Sequence, residues 1–164
     1  EMKVLSAHRT PEETAEYVKS AEGRGIQAFI AAAGFAAHLA GAVAAQCVLP
    51  VIGVPLDASS LQGLDSLLST VQMPKGIPVA CVTIGKAGAI NAGLFAIQIL
   101  SRSQPELVEK LKDYREKMRP HKDCFSIGGA EISSMHEIVA RETRLVTKDH
   151  DSPPTWVLAR RQYN

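Results

Sequence analysis

One loop near the start of the chain combines a titratable imidazole with groups that bind anions. Residues 6–11, SAHRTP, follow an apolar segment and lead into a helix start. The free backbone amides at a helix N-terminus favour an anion, and the guanidinium of Arg9 is a planar fork that matches phosphate oxygens. His8 is the only side chain of this loop whose charge can change near neutral pH. The loop therefore indicates a phosphate pocket beside a proton-transfer group, although an exposed polar loop without function fits these residues equally well.

A second segment is rich in small residues and also contains a histidine. It spans residues 31–41, AAAGFAAHLAG, where Gly34 permits a sharp turn and the alanines let a ligand or a second backbone approach closely. His38 could bind a ligand or cap the helix predicted after it. The small residues are also compatible with a tight contact between a helix and a strand, so the role of this segment stays open at this point.

The other reactive side chains form no metal or redox motif in the sequence. The five histidines have no Cys, Asp or Glu partner at ligand spacing, and there is no Walker motif. The three cysteines lack CxxC spacing, and the apolar neighbours of Cys47 and Cys81 predict buried thiols in a reducing compartment. We therefore expect no metal and no cofactor.

Composition narrows the class of protein and of partner. A chain of 164 residues with 46% hydrophobic residues suits one globular α/β domain. Its formal net charge of +1 argues against a nucleic-acid partner bound mainly by electrostatics. No signal peptide and no apolar run of membrane-spanning length is visible, so we expect a cytoplasmic protein without a membrane partner.

Apolar runs and helical periodicities alternate along the first 119 residues. Thr10 is the predicted cap of the first helix, Pro11 suits its first position, and Glu13 stands where a capping-box carboxylate belongs. The predicted strands cover residues 2–6, 26–33, 51–54 and 79–84, and the later helices cover residues 38–47, 61–71, 87–100 and 105–119. This alternation predicts a parallel sheet covered on both faces, with ligands at the carboxyl ends of the strands. The loops expected at that edge are 6–11, 33–41, 55–60 and 85–88.

The predicted helix 87–100 has almost no polar face, because only Asn91 and Gln98 interrupt its apolar residues. Such a helix is either buried in the core of one subunit or covered by another subunit. We favour the second interpretation and predict a symmetric homo-oligomer.

From Pro120 onward the alternation stops. Gly128-Gly129 and Pro153-Pro154 interrupt the segment, and only residues 131–144 have the spacing of an amphipathic helix. We therefore divide the chain into a domain at residues 1–119 and a C-terminal extension of unknown role at residues 120–164.

Five motifs in order identify a family that the chain resembles. They are SAHRTP (6–11), GxAAHLxG (34–41), LPVIGVP (49–55), LDSLLSTVQMPxGIPVA (64–80) and IGKAGAxNAG (84–93). Over roughly residues 1–118 the chain resembles class I 5-(carboxyamino)imidazole ribonucleotide mutase, the bacterial form of the aminoimidazole ribonucleotide carboxylase family.

The resemblance implies a fold, an assembly and a reaction. The fold is a three-layer α/β/α, flavodoxin-like subunit, and the assembly is an octamer with active sites at subunit junctions. The reaction belongs to purine biosynthesis: the substrate loses carbon dioxide, carbon 4 of the imidazole attacks it, and a histidine removes the ring proton. By motif position that histidine is His8, and Arg9 meets the phosphate. The family's substrate contacts fall on Ser6, Ala7, Arg9, Ala33, Gly34, His38 and Leu39.

The chain also departs from the family pattern. Members begin with a strand and a Gly-Ser-x-Ser-Asp loop that supplies substrate ligands, and no such segment precedes Glu1, so we expect that an N-terminal piece is missing. Phe35 and Ala40 stand where many members have Gly and Pro. Two alternatives remain at this point: a non-catalytic nucleotide-binding or assembly paralogue, and a class II carboxylase that takes carbon dioxide directly.

Overall fold

A computed structural model describes residues 1–119 and a two-residue strand, Leu158–Ala159. The strands are β1 (Phe29–Ala33), β2 (Val51–Pro55), β3 (Ala80–Cys81) and β4 (Leu158–Ala159). The helices are α1 (Pro11–Lys19), α2 (Leu39–Ala44), α3 (Leu64–Val71), α4 (Gly85–Leu100) and α5 (Glu106–Lys117), with a 3-10 turn at Glu22–Arg24. The helix predicted at residues 131–144 lies outside the described residues.

The strands form one parallel sheet in the order β3-β2-β1-β4. β1 and β2 pair along their whole length, from Phe29 opposite Val51 to Ala33 opposite Pro55. α2 connects β1 to β2, and α3 connects β2 to β3. The prediction of an α/β chain with a parallel sheet is therefore confirmed, and the carboxyl ends of β1 and β2 lie together at one edge.

Helices cover both faces of the sheet, because alternate side chains of β1 point to opposite sides. Phe29 and Ala31 pack in one cluster with residues of α1 and α2. Ile30 and Ala32 pack in a second cluster with alanines of α4. All four of these β1 side chains are at most 3% exposed. The result is the expected three-layer, flavodoxin-like arrangement, with a strand that is buried on both sides.

One face of the apolar helix α4 packs within the chain. Ala89, Ala92 and Ala96 have no exposed area and pack on β1 and β2. Further along, Ile97 and Leu100 pack against Leu107 of α5. Phe95 is 39% exposed, so the proposal that another subunit covers the rest of this helix stays a prediction.

Helix α3 has the opposite organisation, with hydroxyls inside and leucines outside. Ser66 and Thr70 face the sheet at 0% and 3% exposure. The Ser66 hydroxyl donates to the carbonyl oxygen of Leu56 at 2.7 Å, and the Thr70 hydroxyl donates to that of Ser66 at 2.7 Å. On the other side an apolar stripe, the α3 stripe, is exposed by half or more: Leu61, Leu64, Leu68 and Val71.

Two of the predicted strands differ from the structure. Residues 2–6 form no strand, and the edge of β1 away from β2 pairs at Ile30 and Ala31 with β4 instead. The run 79–84 contributes only Ala80–Cys81, which is partly exposed because β3 pairs with β2 alone among the described strands. Within the same described residues, no helix is long and apolar enough to cross a membrane.

Candidate active site

The loop 6–10 is a turn closed by hydrogen bonds around Ser6. The Thr10 amide donates to the Ser6 carbonyl oxygen at 3.0 Å, and the Arg9 amide donates to the Ser6 hydroxyl oxygen at 3.2 Å. Thr10 is the N-cap residue of α1 and Pro11 is in the first turn, as predicted, but the Thr10 side chain makes no capping bond. Its hydroxyl oxygen lies 3.1 Å from the Ser6 amide instead. The turn therefore holds His8 and Arg9 in exposed positions on a fixed backbone.

The second loop begins where β1 ends. Gly34 follows the strand, and Phe35 has a left-handed backbone with a φ of 55°. The His38 amide donates to the carbonyl oxygen of Ala36 at 2.8 Å, and His38 then precedes the first residue of α2. Its side chain makes no capping hydrogen bond to α2. The capping role considered for this imidazole is therefore wrong, and the ring is available for another contact.

The two histidines of these loops meet directly. Nε2 of His8 lies 2.6 Å from Nδ1 of His38, a hydrogen bond between residues 30 positions apart in the chain. The ring centroids are 4.8 Å apart and the ring planes are inclined by 78°. This edge-on geometry aims one ring nitrogen at the other, so the imidazoles form one hydrogen-bonded pair.

Both loops line an open cleft at the carboxyl end of β1. All of the predicted site residues line it: Ser6, Ala7, His8, Arg9, Ala33, Gly34, His38 and Leu39. Sequence reasoning missed three further lining residues, Leu5, Ala32 and Ala36. No local signal distinguished these apolar residues from ordinary core positions.

The cleft combines an apolar floor with a polar rim. Leu5, Ala32 and Leu39 are at most 6% exposed and form the floor. Apart from the two imidazoles, Arg9 is the only ionisable side chain among the lining residues. Within the part of the chain that the structure describes, no group of three His, Cys, Asp or Glu residues could hold a metal ion. The arrangement can bind an anion through Arg9 and exchange a proton through the histidine pair.

The other two predicted loops do not line this cleft. In the loop 55–60, the carboxylate of Asp57 lies near the start of α4, where a Cβ added at Gly85 would be 3.5 Å from its Oδ1. Cys47 and Cys81 are partly exposed, where buried thiols were predicted. The burial that they do have raises the pKa of both thiols, which disfavours the nucleophilic thiolate.

A family model and individual relatives with known names all indicate the same protein family. The family model described as AIR carboxylase matches residues 1–121. The chain is 61% identical over 119 residues to the N5-carboxyaminoimidazole ribonucleotide mutase of Pyrococcus abyssi, a match that covers 73% of this chain and 67% of that protein. It is 57% identical to the Bacillus subtilis mutase over 119 residues, 73% of this chain and 74% of that protein. For the Pseudomonas aeruginosa mutase the identity is 56% over 115 residues, 70% of this chain and 71% of that protein.

Proposed function

The chain belongs to the AIR carboxylase family, and on this basis we propose that it is an N5-carboxyaminoimidazole ribonucleotide mutase of purine biosynthesis. One observation connects the proposed function with the candidate active site. Two motifs that are distant in the sequence meet in one cleft, which holds a histidine pair and a single arginine. A cytoplasmic location is part of the proposal, because such an enzyme works where its ribonucleotide intermediates are.

The proposed reaction moves a carboxylate from the exocyclic nitrogen to carbon 4 of the imidazole. The carbon–nitrogen bond breaks, carbon dioxide leaves, and the nitrogen takes up one proton. Carbon 4 then forms a bond to the carbon dioxide and loses its own proton. One proton is consumed and one is released, so a single group that first donates and then accepts can complete the cycle. The step needs no external oxidant or reductant, and no phosphoryl group is transferred.

We assign that proton transfer to His8. An imidazole changes protonation near neutral pH and can act as acid and base in turn. His8 stands on the hydrogen-bonded turn at the edge of the cleft, which supports this role because a proton-transfer group needs a fixed position.

The remaining site residues bind the ribonucleotide in this proposal. Arg9 meets the phosphate, because it is the only permanently charged side chain of the lining and its fork matches phosphate oxygens. The other contacts are assigned to Ser6, Ala7, Ala33, Gly34 and Leu39, and the resemblance adds His38, whose side chain contacts His8. All of these residues line the cleft, where the small residues Ala33 and Gly34 leave the backbone accessible to a ligand.

We further propose that the protein is a homo-oligomer, an octamer by resemblance to its family, with active sites at subunit junctions. The α3 stripe supports this, since four large apolar side chains exposed on one surface favour burial against a second copy. Residues 1–119 would be the catalytic domain of each subunit, and residues 120–164 would be an appended segment.

The substitution His8→Asn tests the proposed function. The variant should still bind aminoimidazole ribonucleotide, but its turnover of the N5-carboxylated substrate should fall by about 10²–10⁴-fold, as is typical when an acid–base group is lost. Lys19→Gln, an exposed change at the end of α1, serves as the control and should leave turnover unchanged. Near-normal turnover by His8→Asn would remove His8 from this role. Efficient carboxylation of aminoimidazole ribonucleotide by free carbon dioxide, without mutase turnover, would instead indicate a class II enzyme.

A further inference from the structure

The side chain of His38 makes one contact that its place in the fold does not explain. It stands at the cap position of α2 and yet makes no capping hydrogen bond. Its Nδ1 atom lies 2.6 Å from Nε2 of His8, and the planes of the two imidazole rings are nearly perpendicular. Both residues are exposed, so no tight packing forces the rings together. The attraction between the two nitrogens is therefore the physical reason for the contact.

A hydrogen bond between two imidazole nitrogens requires one proton between them. If both rings were cationic, two N–H groups would face each other at this distance, which the contact excludes. The contact therefore needs a hydrogen on one of the two facing nitrogens and a lone pair on the other.

We infer that His38 is a positioning residue for His8: its Nδ1 fixes the orientation of the His8 ring. Because Nε2 of His8 is engaged in this contact, Nδ1 is the His8 ring nitrogen left for another partner. This inference rests on the proposed function, and it replaces a direct substrate contact with a role that acts through His8.

Two substitutions at position 38 separate these roles. His38→Ala removes the nitrogen, whereas His38→Asn keeps an amide group near the position of Nδ1 but cannot titrate. We expect His38→Ala to lower kcat by roughly 10–100-fold, the range known for groups that orient an imidazole, with KM changed less than about twofold. We expect His38→Asn to restore most of the lost kcat. An increase in KM with unchanged kcat, or no rescue by Asn, would overturn the inference.

Rescue of kcat by His38→Asn is the readout that depends on the polar group near the position of Nδ1, since His38→Ala and His38→Asn both remove the ring. The thermal midpoint of each variant shows that the comparison is made between folded proteins.

The double variant His8→Asn/His38→Ala distinguishes failure of this inference from failure of the proposed function. If His38 acts through His8, the second substitution should lower turnover by less than about twofold further, because residues that act as a unit are not additive. A further independent loss of 10-fold or more would overturn the inference and leave the role of His8 intact. Normal turnover by His8→Asn alone would overturn both.

Discussion

At the scale of single residues, Arg9 offers a test of binding that is separate from proton transfer. Its backbone is held by the Ser6 hydroxyl, while its side chain is exposed at the cleft. We expect Arg9→Ala to weaken binding of aminoimidazole ribonucleotide by about 1.5–3 kcal/mol, the value of a charge-assisted hydrogen bond. Titration calorimetry measures this directly. Since the proposed partner is a phosphate remote from the reacting carbon, kcat should change little.

The matched control for this residue is Arg9→Lys. It keeps the positive charge but loses the planar fork, so its affinity should lie between those of the parent protein and Arg9→Ala. Unchanged affinity together with a collapse of kcat in Arg9→Ala would show that the phosphate assignment is wrong.

Phe35 has a left-handed backbone conformation that residues with a Cβ rarely adopt. Its φ of 55° places it in the left-handed region, directly after Gly34 in the loop that lines the cleft. Both Phe35→Gly and Phe35→Ala remove the ring, so the difference between them isolates the backbone. We expect Phe35→Gly to be the more stable of the two by about 1 kcal/mol, because only a residue with a Cβ is strained there.

Thermal denaturation of the two Phe35 variants at equal protein concentration measures this difference. A higher midpoint for Phe35→Ala would mean that the loop relaxes out of the left-handed region when the ring is removed.

At the scale of elements, the close approach of α4 to the preceding chain depends on Gly88. A Cβ added there would lie 2.8 Å from the carbonyl carbon of Thr83 and closer still to its oxygen, and 3.3 Å from a methyl group of Val54. Because backbone atoms cannot move aside cheaply, we expect Gly88→Ala to destabilise the fold by about 2–3 kcal/mol. The midpoint of urea unfolding reports the change.

Gly23→Ala is the control for Gly88→Ala. A Cβ at Gly23 would meet nothing within 4 Å, so this substitution should change stability by less than about 0.5 kcal/mol. If both variants were equally stable, the packing of α4 against Thr83 would not be a constraint on the fold.

At the scale of the whole molecule, the proposed homo-oligomer can be tested at the α3 stripe. We expect light scattering to give a mass of several subunits for the parent protein. The double substitution Leu64→Glu/Leu68→Glu should reduce that mass, because two carboxylates would have to be desolvated on association. Val48→Glu is the control, since Val48 is 93% exposed but lies outside the stripe. A monomeric parent protein with a stable fold would exclude the assembly.

The sequence alone was sufficient for the five helices and for β1 and β2, and it indicated eight of the eleven residues that line the cleft. The buried run of β1, the start of α1 at Pro11 and the amphipathic α5 are local patterns, and local patterns are visible in a sequence. The motif residues from Ser6 to Arg9 and from Ala33 to Leu39 were assigned by resemblance, and the structure brings them to one cleft.

Only the tertiary structure decided which surfaces and side chains meet. The His8–His38 contact joins two loops 30 residues apart, and its 2.6 Å distance depends on how β1 ends beside the turn at Ser6. Composition indicated that α4 is buried or covered by another subunit, whereas the structure shows which part of it the sheet and α5 cover and that α3 also exposes leucines. Periodicity shows that a helix has an apolar face but not what covers it, because burial depends on the neighbours that the fold supplies.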